Sequence, residues 1–583
     1  MRTLLSASGG TTWADPSNLT LSFAPDGTQV VGRSSNLFAK LDALAPRDAW
    51  QQTALRAFQT WASESDVNIG VVSDGGEAFG VIGATQGDFR FGDIRLAAVP
   101  LSGDVAALSI SGDVATSGTW MGDILVNADV DFASLDEFYA VMLHEAGHVL
   151  GLEHSDDPSS PMHESLRVGP DLQPTDADIA ALRAVNGSRP ADANEVDRAN
   201  DTVKRATRIK YSASSGGYVG QTPLLSYGDI TTAGDVDHFF LPTLSNYNGP
   251  LTFSLRTGGL SLLSAKLTVL DETGRVIASS SADEQSAADL SVTISHNDDD
   301  SEYVVRVESD SQADVFAVGA YALVTTFDTR SQVTPETLNE VLRLRYDFLS
   351  EEETRPLFET GLEPTFFDDL HMNDTRETAE ALKSLTHFAE FREYETTAGI
   401  SDLTDVDFYS VRSPEFAAGE VGVMTVSVQA TRIGGLLSEV KIYDRNGVQA
   451  DAKIVTSNAG TLTVQVSGVD SGKTYFVRIG SSQSAGRYAT GNYRLSVSFS
   501  QPAVERQLLS AGQFGSGSDV PGFALKINRT QLFQVALNSE GDGTNSVVVE
   551  AAVFDDQGNL LQRIVSLAGD TRTGQAMLLT TGT

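Results

Sequence analysis

The sequence predicts a multidomain protein, with an α+β domain over the first 190 residues followed by all-β sandwich repeats. Three observations carry that expectation. Before residue 190, apolar residues recur at helical spacing in three stretches, set between short alternating runs that read as strands. Beyond 190 the texture turns to short alternating strands with Asp/Asn-Gly turns. Blocks of that second part then return in the same order. At 583 residues the chain has length for several separate cores.

The N-terminus, Met1-Arg-Thr-Leu-Leu-Ser, is too short in its apolar part for a secretory signal, and a fragment at both ends is expected. Leu19, Leu21 and Phe23 alternate as a strand, with Pro25-Asp26-Gly27 as the turn after it. From Pro46 the period changes, and Trp50, Ala54, Ala57, Phe58 and Trp61 mark a helix that packs behind the sheet. Residues 67–73, 92–99 and 120–127 read as further strands. Ser134 and Glu137 form a capping-box pair opening the next helix, with Leu135, Phe138, Tyr139, Met142, Leu143 and Val149 as its buried stripe. Thr175 and Asp178 open another, with Ile179, Leu182 and Val185 as its apolar face and Gly187 as its stop.

The middle helix carries the chemistry. Of 8 His in the chain, four (144, 148, 154 and 163) fall within twenty residues, and the stretch from His144 to His154 reads His-Glu-Ala-Gly-His-Val-Leu-Gly-Leu-Glu-His. His144 and His148, four apart, leave one helix face a turn apart, where two imidazoles reach one metal ion. Glu145 stands beside them, able to hydrogen-bond a metal-bound water. Gly151 can take positive φ and end the helix, so that the chain swings back and delivers His154 as a third ligand. Three protein ligands with an open fourth position describe catalytic Zn²⁺, whereas structural sites are closed by four. The alternative is a set of helix histidines serving structure alone.

The motif resembles the zinc helix of the metzincins. Met162, eight residues after His154 in Ser-Pro-Met-His, matches their methionine turn, which implies structural support of the site by Met162 and Gly151. Ser155 and the eight-residue spacing resemble the matrixin branch, as do Phe91-Gly-Asp-Ile and Met121-Gly-Asp-Ile. The resemblance implies a zinc endopeptidase in which Glu145 is general base, with the substrate strand antiparallel to an edge strand near 105–118. Where the astacin branch has a zinc-binding Tyr, this chain has Glu164; Glu164 and His163 are left without a role. The first His is His144, so the second, structural zinc of animal matrixins is not expected. Without cysteine, an inhibitory propeptide thiol of the animal matrixin type is excluded. Ca²⁺ at Asp123, Asp129 and Asp131 is a weaker expectation beside solvated turn carboxylates.

Past 190, Asn200-Asp-Thr returns as Asn373-Asp-Thr, and Asp235-Val-Asp-His-Phe as Asp405-Val-Asp-Phe-Tyr. Leu267-Thr-Val-Leu-Asp-Glu-Thr-Gly returns as Val440-Lys-Ile-Tyr-Asp-Arg-Asn-Gly, and again in part as Val549-Glu-Ala-Ala-Val-Phe-Asp-Asp-Gln-Gly. These units resemble the pre-peptidase C-terminal domains of secreted bacterial peptidases. The expected division is a peptidase domain over 1–190, repeats over 191–330 and 370–502, an acidic helical linker over 331–369, and a partial third repeat over 503–583. Asn297-Asp298-Asp299-Asp300 reads as a solvated turn or a calcium loop.

A net charge of −38 argues against sequence-independent binding to nucleic acid or to anionic membranes. No apolar run is long enough for a membrane span. The expected protein is thus an extracellular, secreted bacterial hydrolase acting on protein or peptide substrates, its repeats serving anchoring, presentation or secretion. The competing expectation is an adhesion protein that binds extracellular matrix or cell-surface ligands through the repeats, with a catalytically degenerate metzincin domain.

Overall fold

The computed structural model describes residues 3–579 apart from 7–12, 14, 82–85, 89, 102–104, 111–116, 166, 170–171, 193, 196–198, 210–223, 242–246, 283–285, 297–301, 311–314, 328–369, 385–391, 418, 420, 431–435, 459, 483–487, 500–502, 512–521, 529–530, 539–547, 568–570 and 575. The expected linker at 331–369 and the Asn297–Asp300 turn lie outside the described residues, as does the 111–116 part of the expected edge strand.

In the N-terminal domain one sheet is built from β1 (Thr3–Ser6), β2 (Leu19–Phe23), β3 (Ile69–Val71), β4 (Ile94–Val99), β5 (Val105–Ser109) and β6 (Ile124–Asn127). Their spatial order is β1-β5-β6-β4-β2-β3. Strands β3, β2, β4 and β6 run parallel, β5 runs antiparallel to β6, and β1 lies parallel to β5. Among the described residues, α2 (Arg47–Ala62), α3 (Leu135–Val149) and α4 (Asp176–Asn186) follow the three expected helical stretches, and a short helix that was not expected, α1 (Leu37–Asp42), precedes them. Pro46 precedes α2, where its missing N–H costs nothing and its restricted φ suits a helix start.

The sheet is buried on both faces. Leu19, Leu21, Ile94, Leu96, Ala98, Ile124 and Val126 pack with Trp50, Phe58 and Trp61 of α2 and Phe138, Met142 and Leu143 of α3. Ala97, Val99, Leu108 and Leu125 turn the other way, onto Phe79, Trp120 and, from the far end of the chain, Ala576 and Leu578. The Trp120 indole N–H donates to the carbonyl of Ala576 at 2.7 Å. Cover on two sides explains why β2, β4 and β6 are buried along their whole length, as parallel strands usually are.

Two sequence expectations need correcting in detail. The Ser134 side chain accepts from the N–H of Glu137, but the Glu137 carboxylate reaches back to the N–H of Ala133, one residue before the cap. In α4 the capping box of Thr175 and Asp178 forms and Gly187 ends the helix at φ 79°, yet Val185 is exposed. The buried face is Asp178, Leu182 and Asn186, because two of its polar side chains have buried partners: Ser160 donates to Asp178, and Asn186 donates to the Leu150 carbonyl.

Beyond the N-terminal domain the described structure is largely β, which makes the fold multidomain, α+β and then all-β. In the first repeat, Leu224–Ile230, Gly319–Phe327, Gly249–Arg256 and Leu290–His296 form one sheet in that order. Val276–Ser281, Ala265–Asp271, Tyr303–Ser309, Val236–Leu241 and Thr207–Arg208 form the other. Inward residues such as Phe239, Phe253, Leu267, Val305 and Tyr321 fill the space between them. The second repeat reproduces this arrangement over Glu380–Ser498 with one exchange. Val276–Ser281 pairs with Ala265–Asp271, whereas its counterpart Lys453–Asn458 pairs with Thr461–Val469 in the opposite sheet. The repeated Asp-x-x-Gly turns take one form: Gly274, Gly447 and Gly558 sit at φ 83° to 85°, each donating its N–H to the carbonyl of Asp271, Asp444 or Asp555.

The first repeat is joined to the N-terminal domain through its core. Leu262 and Phe316 belong to the same apolar cluster as Trp61 and Met162. The Gln59 amide donates to the carbonyls of Val315 and Val318 at 3.0 Å, and Arg189 binds Asp229 and Asn68. Strand β3 approaches the repeat so closely that a Cβ on Gly70 would stand 2.0 Å from the Gly259 carbonyl carbon. The second repeat meets the N-terminal domain through Arg494, which donates to the Gln86 carbonyl at 3.0 Å.

Candidate metal centre

Helix α3 sets two of the predicted ligands by its period. The His144 Nδ1 lies 2.7 Å from the Pro161 carbonyl, and the His148 Nδ1 lies 2.7 Å from the Leu152 carbonyl. A carbonyl oxygen only accepts, so each ring keeps its proton on Nδ1 and presents Nε2 as a bare lone pair. Those two Nε2 atoms face each other at 3.0 Å. Burial pushes the His144 imidazole down to about 3 and the His148 imidazole down to about 4, so near neutral pH neither ring supplies a second proton to bridge them. Two lone pairs at that separation repel unless a cation draws them together.

The third ring arrives by a turn. Gly151 stands at φ 94°, a left-handed conformation that L side chains rarely adopt. Leu152 N–H then closes onto the Gly147 carbonyl at 2.9 Å, and the chain brings His154 back beside the helix. Its ring centroid lies 5.2 Å from that of His144 and 4.7 Å from that of His148. One nitrogen from each of the three rings falls within 4.8 Å of the others. Three imidazoles, two of them fixed by backbone acceptors, fit Zn²⁺ in both donor type and second-layer support.

Glu145 is fully buried on the neighbouring side of α3. Its Oε2 accepts from the Ser109 N–H at 2.8 Å, while its Oε1 has no hydrogen-bond partner among the described residues. Burial pushes this carboxyl up to about 7 against the lowering effect of the Ser109 bonds. Met162 lies under the helix, at a place that only glycine leaves open: a Cβ on Gly147 would meet the Met162 Sδ at 2.2 Å. The Met162 turn is pinned on both sides. Ser155 N–H donates to the Met162 carbonyl at 2.9 Å, and Met162 N–H donates to Ser160 Oγ at 2.9 Å.

The structure thus brings His144, His148 and His154 together, with Glu145 beside them and Met162 beneath. Glu164 lies 3.7 Å from the His154 Nδ1, and the His163 Nδ1 accepts from the Ser165 N–H. Sequence reasoning gave no role to Gly147, Ser109 or Trp13, and placed Trp61 only in the core stripe of α2; both indoles hold α3. Trp61 donates to the Leu143 carbonyl at 2.8 Å and Trp13 to the Val149 carbonyl at 2.9 Å. Trp61 could be read as core from its period; Ser109 carries no local signal at all.

Asp123, Asp129 and Asp131 form no ligand group among the described residues. The main-chain N–H of Arg95 donates to the buried Asp123 carboxylate, and its guanidinium pairs with Asp74, so the cation in that region is an arginine; Asp131 pairs with Lys40. Two other groups gather three titratable side chains within 4.8 Å at matching ends of the repeats, Glu195 with Asp235 and Asp237, and His371 with Asp374 and Asp405.

Residues 37–187 match the family model of the matrixins, a span that contains the three histidines, Glu145 and Met162. The N-terminal domain is therefore a matrixin-like metzincin domain, and the match supports a zinc metallopeptidase acting on protein. No curated protein matches the chain.

Proposed function

We propose that the chain is a secreted, extracellular zinc endopeptidase that hydrolyses internal peptide bonds, with Glu145 as general base and the β repeats anchoring or presenting the peptidase domain. The observation that carries this reading is the pair of Nε2 lone pairs 3.0 Å apart, each ring locked by a backbone acceptor, with a third imidazole alongside. His144, His148 and His154 would hold the ion. Zn²⁺, when bound, supplies a Lewis acid that polarises the scissile carbonyl and acidifies water. Glu145 takes the proton of the attacking water on its unpartnered Oε1 and passes it to the leaving amine. Ser109, through its N–H on Oε2, fixes the direction in which that carboxylate points. The raised carboxyl suits the double role, since a base near neutrality both accepts and returns a proton readily. The resemblance of the repeats to domains of secreted peptidases supports the extracellular assignment.

The test is zinc content with casein or gelatin cleavage, before and after a chelator. About one zinc per chain is expected, with cleavage abolished by chelation and restored by zinc. Glu145→Ala is expected to keep the metal while losing about 10²–10⁴-fold in kcat. Cleavage indifferent to the chelator, or equal in Glu145→Ala, would remove the peptidase reading and favour adhesion through the repeats.

A further inference from the structure

The second repeat is entered through a short segment whose backbone runs against its residue types. Leu370 and His371 stand in succession at φ 57° and 61°, a left-handed conformation that residues other than glycine rarely adopt. The following residues fasten this segment to the repeat. The Phe408 N–H donates to the Asn373 carbonyl at 3.0 Å, and the Val406 N–H donates to Asp374 Oδ1 at 3.3 Å. The His371 ring is thereby set against the loop 401–405, and both of its nitrogens face carboxylates. Nδ1 lies 2.8 Å from Asp374 Oδ2 and 3.8 Å from Asp405 Oδ1, while Nε2 lies 3.5 Å from Asp402 Oδ2.

Each carboxylate is aimed by its other oxygen. Asp405 Oδ2 accepts from the Ser401 hydroxyl at 2.7 Å, and Asp402 Oδ1 from the Thr404 N–H and hydroxyl at 2.7 Å. Asp405 is 1% exposed, and its Oδ1 has no hydrogen-bond partner among the described residues. A buried carboxylate oxygen left in that condition is costly. A proton on Nδ1 answers Asp374 alone, because 3.8 Å is beyond hydrogen-bond reach of Asp405. A cation in front of Nδ1 answers both. At metal–ligand distances of about 2.0–2.1 Å, tetrahedral ligands stand about 3.3 Å apart, between the two separations observed. Nε2 then carries the ring's proton toward Asp402, the order carboxylate, histidine, metal that orients metal-binding imidazoles. The matching group of the first repeat, Glu195, Asp235 and Asp237, offers oxygen alone. An imidazole among the donors moves the preference from hard cations to ions of the zinc class.

We propose that His371, Asp374 and Asp405 are a second metal site, for a divalent transition-metal ion that fastens the entry segment of the second repeat to the loop 401–405. The site is separate from the three histidines of α3 and independent of the peptidase reading. The test titrates Zn²⁺ into the full chain against a chromogenic chelator, beyond the zinc expected at His144, His148 and His154. A further, saturable equivalent is expected, absent in His371→Ala and in Asp405→Asn and bound about tenfold more weakly in Asp402→Asn. Casein cleavage is expected to be unchanged in His371→Ala, which also shows that this variant folds. Amide hydrogen exchange at 371–374 and 406–408 is expected to slow as the further equivalent binds, and not to respond in His371→Ala. No further equivalent, one that survives His371→Ala, or one displaced by an equal concentration of Ca²⁺ would overturn the proposal. A single equivalent that disappears in His371→Ala would keep this site and remove the peptidase reading.

Discussion

The two β repeats share a topology but for one strand that changes sheets, and they differ more in how they are attached. The first contributes Leu262 and Phe316 to the apolar core of the N-terminal domain and closes the contact with Gln59, Arg189 and Asn68. Among the described residues, the second reaches that domain through the Arg494 guanidinium, which donates to the Gln86 carbonyl and feels the Asp93 carboxylate. Burying an apolar side chain is worth about 1.5–3 kcal/mol, whereas one such hydrogen bond is worth about 0.5–1.5, or up to about 3 when charged. The difference teaches that repetition in sequence does not mean equivalence in role. One copy is a layer of the peptidase, and the other is an appendage.

The sharpest way to break that contrast is to cut the chain. A chain ending at residue 190 is expected to lose about 5 kcal/mol of peptidase-domain stability relative to one ending at 330, from two buried apolar side chains and several hydrogen bonds. Urea midpoints followed by tryptophan fluorescence measure it, since Trp13, Trp50, Trp61 and Trp120 all lie in the N-terminal domain. Equal midpoints would make the first repeat an appendage too.

A smaller effect separates the repeats by pH. In the first, burial pushes the Asp237 carboxyl up to about 8 from its ordinary 3.8, with the Tyr321 hydroxyl donating to it at 2.5 Å. Between those two values the folded form keeps a proton that the unfolded form has released. The resulting stability is full below about pH 4 and is lost as pH rises through about 8. Amide exchange in Val236–Leu241 is expected to show a loss of a few kcal/mol from pH 5 to pH 9, and Asp237→Asn to flatten it. In the second repeat Tyr409 stands where the first has Phe239, and its hydroxyl meets that of Tyr493 at 2.9 Å beside Asp407. Phe239→Tyr, which adds that hydroxyl to the first repeat, is expected to reduce the slope.

The smallest effect belongs to the appendage. Arg494→Ala is expected to change the urea midpoint of the N-terminal domain by the equivalent of about 1 kcal/mol or less. A larger change would mean that the second repeat is built into the peptidase as the first is.

What the sequence made legible was whatever a single element decides by itself. The four-residue spacing of His144 and His148, the positive φ of Gly151 and the Thr175–Asp178 cap are all fixed within a turn or two of helix. What it hid was pairing at long range. Nothing near Ser109 announces that its N–H would meet Glu145, and nothing in Asp123 announces Arg95 and Asp74 as neighbours. Val185 looked like a core residue because the i, i+3, i+6 apolar set was complete; the true face includes Asp178 and Asn186, whose burial depends on partners elsewhere in the chain. The strand at 276–281 and its counterpart at 453–458 have the same alternating texture, which leaves open which neighbour each will choose.

The indole of Trp120 waits for a carbonyl 456 residues further along the chain. At a ribosomal pace of about 5–20 residues per second, roughly 20–90 s separate the emergence of the two. Through that interval the outer side of the sheet bearing Ser109 has neither Ala576 nor Leu578 upon it, and Phe79 and Trp120 are available to chaperones instead. The newborn hydrolase is thus left unfinished while the remainder of the polypeptide is translated, a delay written into the order of its own synthesis.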